Sequence, residues 1–219
     1  MNRRPLSIPT WGRLWTGILG ALVVSLAFFP IYVGGSMITG VLGQRLHLYA
    51  TFELALPFWP AMIVAYLSMF VLFLVPTFQL DEGELWALVR RLVVASILGG
   101  VVFLVLRSEI GFTEHSNAGR WQPLYDLIYG VDARANAVPS FHVIYTSTIL
   151  LALMDVAMPR LRVLYALWLI VVSASTVLTH RHHLLDVATG LAIALAVRRL
   201  RPRRDTTSTT SSSCIGVAP

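Results

Sequence analysis

Six mostly apolar stretches divide the chain, separated by arginines, prolines and short polar segments. They run from Leu14 to Val33, about Leu56 to Leu74, Trp86 to Leu106, Pro139 to Ala157, Leu161 to Leu178 and His182 to Val197. Each is close to the roughly 20 residues that carry a helix across a bilayer, which predicts an all-α, polytopic membrane protein with six transmembrane helices in one bundle. Pro57 and Pro60 stand near the start of the second stretch and Pro76 after its end, while Met158-Pro159-Arg160 closes the fourth. Between them, residues 34–53 read as a loop, 78–84 as a short acidic turn, and 107–138 as the longest internal polar segment.

Composition agrees with this pattern. The 219 residues are 56% hydrophobic and 13% charged, with a mean hydropathy of +0.71, against roughly 25% charged residues in soluble domains. The net charge is +6 and all 17 basic residues other than histidine are arginines. Six spans place both termini on one side. That side then carries twelve arginines and the other five, so the positive-inside rule makes the termini cytoplasmic. Trp11, Trp15, Trp59, Trp86 and Trp121 fall near the predicted interfaces, and Trp168 falls mid-span. No arginine-rich repeat alternates with aromatics, which argues against nucleic acid as a partner and for a lipid surface. Cys214 is the single cysteine and permits no internal disulfide. The first apolar run exceeds the roughly 7–15 residues of a signal-peptide core and reads as a retained span. The expected organisation is a cytoplasmic N-terminus at 1–13, a membrane domain at 14–200, and a Thr/Ser-rich disordered cytoplasmic tail at 201–219. A bacterial plasma membrane is the expected location.

Two polar clusters interrupt the apolar runs. One is Thr179-His180-Arg181-His182-His183-Leu184-Leu185-Asp186, and the other is Pro139-Ser140-Phe141-His142. Ionisable residues at the edge of a span are costly to place and mark function. With helix from about residue 181, His182 and Asp186 share one face, and a carboxylate there fixes the imidazole tautomer and frees the other nitrogen. The predicted topology puts both clusters on the extracytoplasmic side, where the fourth and sixth helices present N-termini that favour anions. A phosphoryl transfer through histidine needs these parts: His182 as nucleophile, Asp186 to orient it, His142 to protonate the leaving oxygen, and donors around the phosphate. Candidate donors are Ser140, Asn136, Arg107, Arg181 and Arg120. Ser140 and Asn136 also fit plain helix capping, and the arginines fit snorkelling to headgroups. No metal or other cofactor is expected: His142, His180, His182 and His183 are ligand types for a transition metal, but no Cys or Glu completes a shell and Asp186 fits the orienting role as well. A six-span transporter with a histidine-based proton or metal site is the alternative, but it calls for ionisable residues deep in several spans.

The run Asn136-Ala137-Val138-Pro139-Ser140-Phe141-His142, followed by His182-x-x-x-Asp186, resembles the type 2 phosphatidic acid phosphatase and vanadium haloperoxidase superfamily. It is most similar to the inositol phosphorylceramide synthase-like branch. The resemblance implies a membrane-embedded lipid phosphatase or phosphotransferase, with His142 as leaving-group acid, His182 as the residue that becomes phosphohistidine, and Asp186 orienting it. The chain departs from the pattern in three places: it has no Lys-x6-Arg-Pro motif, Phe141 stands where glycine is usual, and Thr176 stands where an arginine is usual. Arg107, then Arg120, are the stand-ins for the first motif, and Arg181 for the missing arginine. The resemblance leaves open which lipid phosphate is the substrate and whether water or a second hydroxyl accepts the phosphoryl group.

Overall fold

The computed structural model describes residues 4–41, 43, 45–131 and 137–200. Among these residues the chain is all helical, without a strand. In order, the helices are α1 Trp11–Val41, α2 Ile63–Leu67, α3 Met69–Leu72, α4 Glu82–Leu106, α5 Gln122–Val131, α6 Phe141–Val156, α7 Pro159–Leu178 and α8 Leu184–Arg198, joined in places by short 3-10 turns.

Local chemistry fixes several of these boundaries. Asp81 caps α4 by accepting from Glu84 N–H at 2.8 Å, while the Glu84 carboxylate accepts from Asp81 N–H at 2.9 Å, a reciprocal capping box. Pro159 sits in the first turn of α7, where its missing N–H costs nothing. The end of α7 is a Schellman motif: His180 N–H donates to the Val177 carbonyl at 2.9 Å and Arg181 N–H to the Thr176 carbonyl at 3.1 Å. The motif needs a left-handed residue, and His180 supplies it at φ +58°.

α1, α4 and α7 are long and apolar enough to cross a membrane. The other apolar stretches make shorter pieces. α6 has 16 residues and α8 has 15, about 24 and 22 Å of helix, below the ~30 Å hydrocarbon thickness. The second stretch is broken at Ser68, between α2 and α3. The Ser68 hydroxyl donates to the Ala65 carbonyl and accepts from Trp168 Nε1–H at 2.9 Å, so Trp168 is a polar anchor within the bundle. α1 continues through Val41, beyond the expected end at Val33, and α5 is a helix inside the segment read as a polar loop.

α6 is the centre of the bundle. Eleven of its sixteen residues are buried, against α4, α7 and α8. The outer faces of the long helices are apolar too, with Ile18, Leu22 and Leu26 on α1, Val101 and Val105 on α4, and Val163 and Leu167 on α7 all exposed. A helix apolar on both its packed and its outer face fits a lipid surround.

Candidate active site

The N-terminal ends of α6 and α8 meet, and this junction brings the two sequence clusters together. Ser140 N–H donates to the Asp186 carbonyl at 3.1 Å. Gly190 allows the close approach, since a Cβ there would stand 2.9 Å from the Ser140 carbonyl oxygen and 3.1 Å from Val143 Cβ. His142, in the first turn of α6, and His182, in the turn before α8, have ring centroids 6.2 Å apart.

His182 does not lie on the helix as expected from sequence. α8 begins only at Leu184, and Asp186 reaches back from the first turn to do two things. Its Oδ2 accepts from His183 N–H at 2.8 Å and faces His182 Nδ1 at 3.1 Å. The same carboxylate therefore caps the helix and orients the imidazole, leaving His182 Nε2 for chemistry. His182 N–H in turn donates to the Thr176 carbonyl at 3.0 Å, so Thr176 helps hold the 180–183 turn through its backbone.

His142 stacks on Tyr66, with centroids 3.9 Å apart. Ser140 is fully buried and caps α6, its Oγ accepting from Val143 N–H at 3.4 Å. Arg181 is buried next to His182, its guanidinium 5.2 Å from the centre of the Tyr129 ring. Arg107 closes α4, its N–H donating to the Phe103 carbonyl and its carbonyl accepting from Leu46 N–H. Arg120 is exposed and lies over the ring of Trp121 at 4.9 Å. Arg107 and Arg120 are not among the residues that line the cavity at the histidine pair. Asn136 lies outside the described residues.

Behind the pair is a polar layer that the sequence did not reveal. Glu53, 3% exposed, accepts from Ala50 N–H at 2.9 Å and from Leu184 N–H at 2.7 Å, and its Oε2 lies 3.4 Å from His183 Nδ1. His183 Nε2 accepts from Gly111 N–H at 3.0 Å, and the ring is sandwiched between Tyr49 and Phe112, each 4.4 Å away. His180 donates through Nε2 to the Leu56 carbonyl at 3.0 Å, and its Nδ1 faces His115 Nε2 at 2.9 Å. Burial holds His115, His180 and His183 below the ordinary histidine range. Ser108, beside Arg107, ties down the approach to α6: its Oγ accepts from Val138 N–H at 2.8 Å and its carbonyl from Ala137 N–H at 3.3 Å.

On the other side of the pair lies an apolar cavity of about 590 Å³, reached by His142 and His182 and walled by α1, α2, α3, α4, α5 and α6. No group of three or more His, Cys, Asp or Glu side chains suited to a metal is found among the described residues. The arrangement offers a nucleophilic imidazole oriented by a carboxylate, a second imidazole facing it, and apolar space beside both. No family model, curated protein or solved structure matches this chain.

Proposed function

We propose that this protein is a six-span membrane enzyme that hydrolyses or transfers a lipid-linked phosphate at the extracytoplasmic face, through a phosphohistidine at His182. One observation carries this reading: His142 and His182 face each other at 6.2 Å between centroids, Asp186 stands behind His182, and an apolar cavity opens beside them. A gap of that size accommodates a phosphorus atom with the attacking nitrogen on one side and the leaving oxygen on the other.

In the first half-reaction, His182 Nε2 forms a P–N bond as the P–O bond to the lipid oxygen breaks, and His142 gives that oxygen its proton. In the second, His142 takes a proton from the accepting hydroxyl, water or a second alcohol, as its oxygen bonds to phosphorus and the P–N bond breaks. Asp186 keeps the proton of His182 on Nδ1 throughout and stabilises the imidazolium character that develops. Arg181, next in the chain, and the N-terminal ends of α6 and α8 supply positive potential toward the non-bridging oxygens. The resemblance of the two motifs to lipid phosphatases and phosphotransferases assigns the same roles to the same three residues.

The test is phosphate release from labelled lipid phosphates by the purified protein in nanodiscs, with and without a lipid alcohol as acceptor. Wild-type protein should turn over, be inhibited by vanadate and be indifferent to chelators. His182→Ala should lose about a thousandfold or more of turnover. Full turnover by that variant rejects the mechanism.

A further inference from the structure

The cavity at the histidine pair has a length, an open side and a floor. Its α1 wall runs from Ala21 to Val33 with residues at three- and four-residue intervals, and twelve residues of helix rise about 18 Å. That is slightly more than half of the ~30 Å hydrocarbon core, or one leaflet. The rim residues Phe29 and Phe70 are 59% and 60% exposed, so the cavity opens sideways between α1 and α3, where the protein surface is apolar. At the end away from the histidines, Ala21, Val24 and Phe73 line both this cavity and a second one of about 40 Å³. Those three side chains are a partition between the two spaces.

We propose that the cavity takes one hydrocarbon chain of the phosphate-bearing lipid, drawn in laterally from a single leaflet, and that the Val24–Phe73 partition sets the longest chain that fits. The proposal rests on reading the histidine pair as a lipid-phosphate site. A volume of about 590 Å³ is that of a pocket for one small ligand, so a second chain stays in the bilayer through the open side. Transfer from lipid to an apolar cavity gains little from the hydrophobic effect, because both surroundings are apolar. Discrimination therefore comes from packing. A chain ending short of the partition leaves wall atoms without contacts, and one that is too long must buckle or lift its phosphate away from His182. The wall is stiff enough to measure, since Phe141 packs edge-on against Phe28 at 5.2 Å and Phe103 at 5.1 Å, and Phe28 against Tyr145 at 5.6 Å.

The experiment uses two partition variants of opposite sign. Val24→Phe raises the floor and Phe73→Ala joins the two spaces. Phosphate release is measured with single-chain lipid phosphates of graded length, and the long-to-medium rate ratio is taken within each variant, so that any loss of folded protein cancels. The expected result is a ratio about tenfold lower in Val24→Phe and about tenfold higher in Phe73→Ala. A ratio that is unchanged in either variant, or that moves the same way in both, overturns the chain-measuring role and leaves phosphoryl transfer standing. Absence of phosphate release from every lipid phosphate by the wild type, or full turnover by His182→Ala, overturns the underlying reading instead.

Discussion

The two flanks of the histidine pair are built on different physics. On the cavity side the walls are rings and aliphatic side chains held by packing, and His142 belongs to this side, fixed in the first turn of α6 and stacked on Tyr66 at 3.9 Å. On the loop side the groups are polar and tied together by hydrogen bonds, and His182 belongs there. It lies outside any helix and is placed by Asp186 and by the Thr176 carbonyl. Packing is non-directional and tolerates replacement by similar volumes, whereas a buried hydrogen-bond network fails when one member is removed. The comparison teaches that small isosteric changes should damage the His182 side far more than the His142 side.

Asp186→Asn is the sharpest way to break that contrast. Asp186 is 1% exposed and its Oδ2 receives both His183 N–H and the His182 ring. An amide oxygen at the Oδ2 position can accept from both, but it carries no charge to stabilise the imidazolium character of His182, and its –NH₂ would be buried at the Oδ1 position without an acceptor. Turnover should fall about 10⁴-fold, by analogy with carboxylate-to-amide changes behind catalytic imidazoles. Rates from single-turnover assays, with circular dichroism as the check on folding, decide this. A loss of less than tenfold would place the orientation of His182 elsewhere.

Glu53→Ala tests the layer one contact farther back. Glu53 joins the loop at Ala50 to the first turn of α8 at Leu184, immediately after the turn that carries His182. Its removal leaves buried N–H groups without acceptors and lets the 180–183 turn shift against α6. Loss of such supporting partners typically lowers activity tenfold to a hundredfold. The expected pattern is a fall of about that size in kcat with KM nearly unchanged, because the cavity proposed to take the lipid chain is on the other flank. A change in KM alone would mean that the two flanks are not separable.

How much of this was legible in the sequence follows the same division. The apolar stretches read as helical segments because lipid-facing and core-facing residues are both apolar, so run length alone finds them. Run length did not foresee the break at Ser68 or the continuation of α1 through Gly34-Gly35-Ser36, where composition is not dense in apolar side chains. It also missed α5, whose apolar face is diluted by the polar residues around it. Within the site, His142, His182 and Asp186 could be found because the pattern Pro-Ser-x-His with His-x-x-x-Asp is local. Glu53 could not, since it is a single carboxylate 131 positions from the N–H it accepts, and only the folded chain joins them. With α8 starting at Leu184, His183 faces inward and bridges Glu53 to Gly111.

The smallest expected effect concerns the polar flank alone, and its sign can be worked out. His183 is held below its ordinary value first by burial, with His182 acting the same way and Asp186 and Glu53 opposing. Its neutral form is also demanded by geometry, because Nε2 accepts from Gly111 N–H and a proton there would face another N–H. His180 is lowered first by burial, with His115 and His183 adding to it and the Leu56 carbonyl opposing, and His115 is lowered by burial. The unfolded chain, with histidines near 6.5, therefore binds more protons than the folded one as the pH falls through that range. Stability from this layer is fully present above about pH 6.5 and is lost progressively below it. The midpoint of thermal unfolding in detergent, followed by tryptophan fluorescence, should be about 2–4 °C lower at about pH 5 than at about pH 8. His115→Phe keeps the ring that stacks on Phe58 at 3.6 Å and removes one of the three titrating groups, so its slope with pH should be shallower than that of the wild type. A midpoint that rises on acidification would show that these rings are charged in the folded protein, and the polar flank would then be an ion-pair network rather than a neutral one.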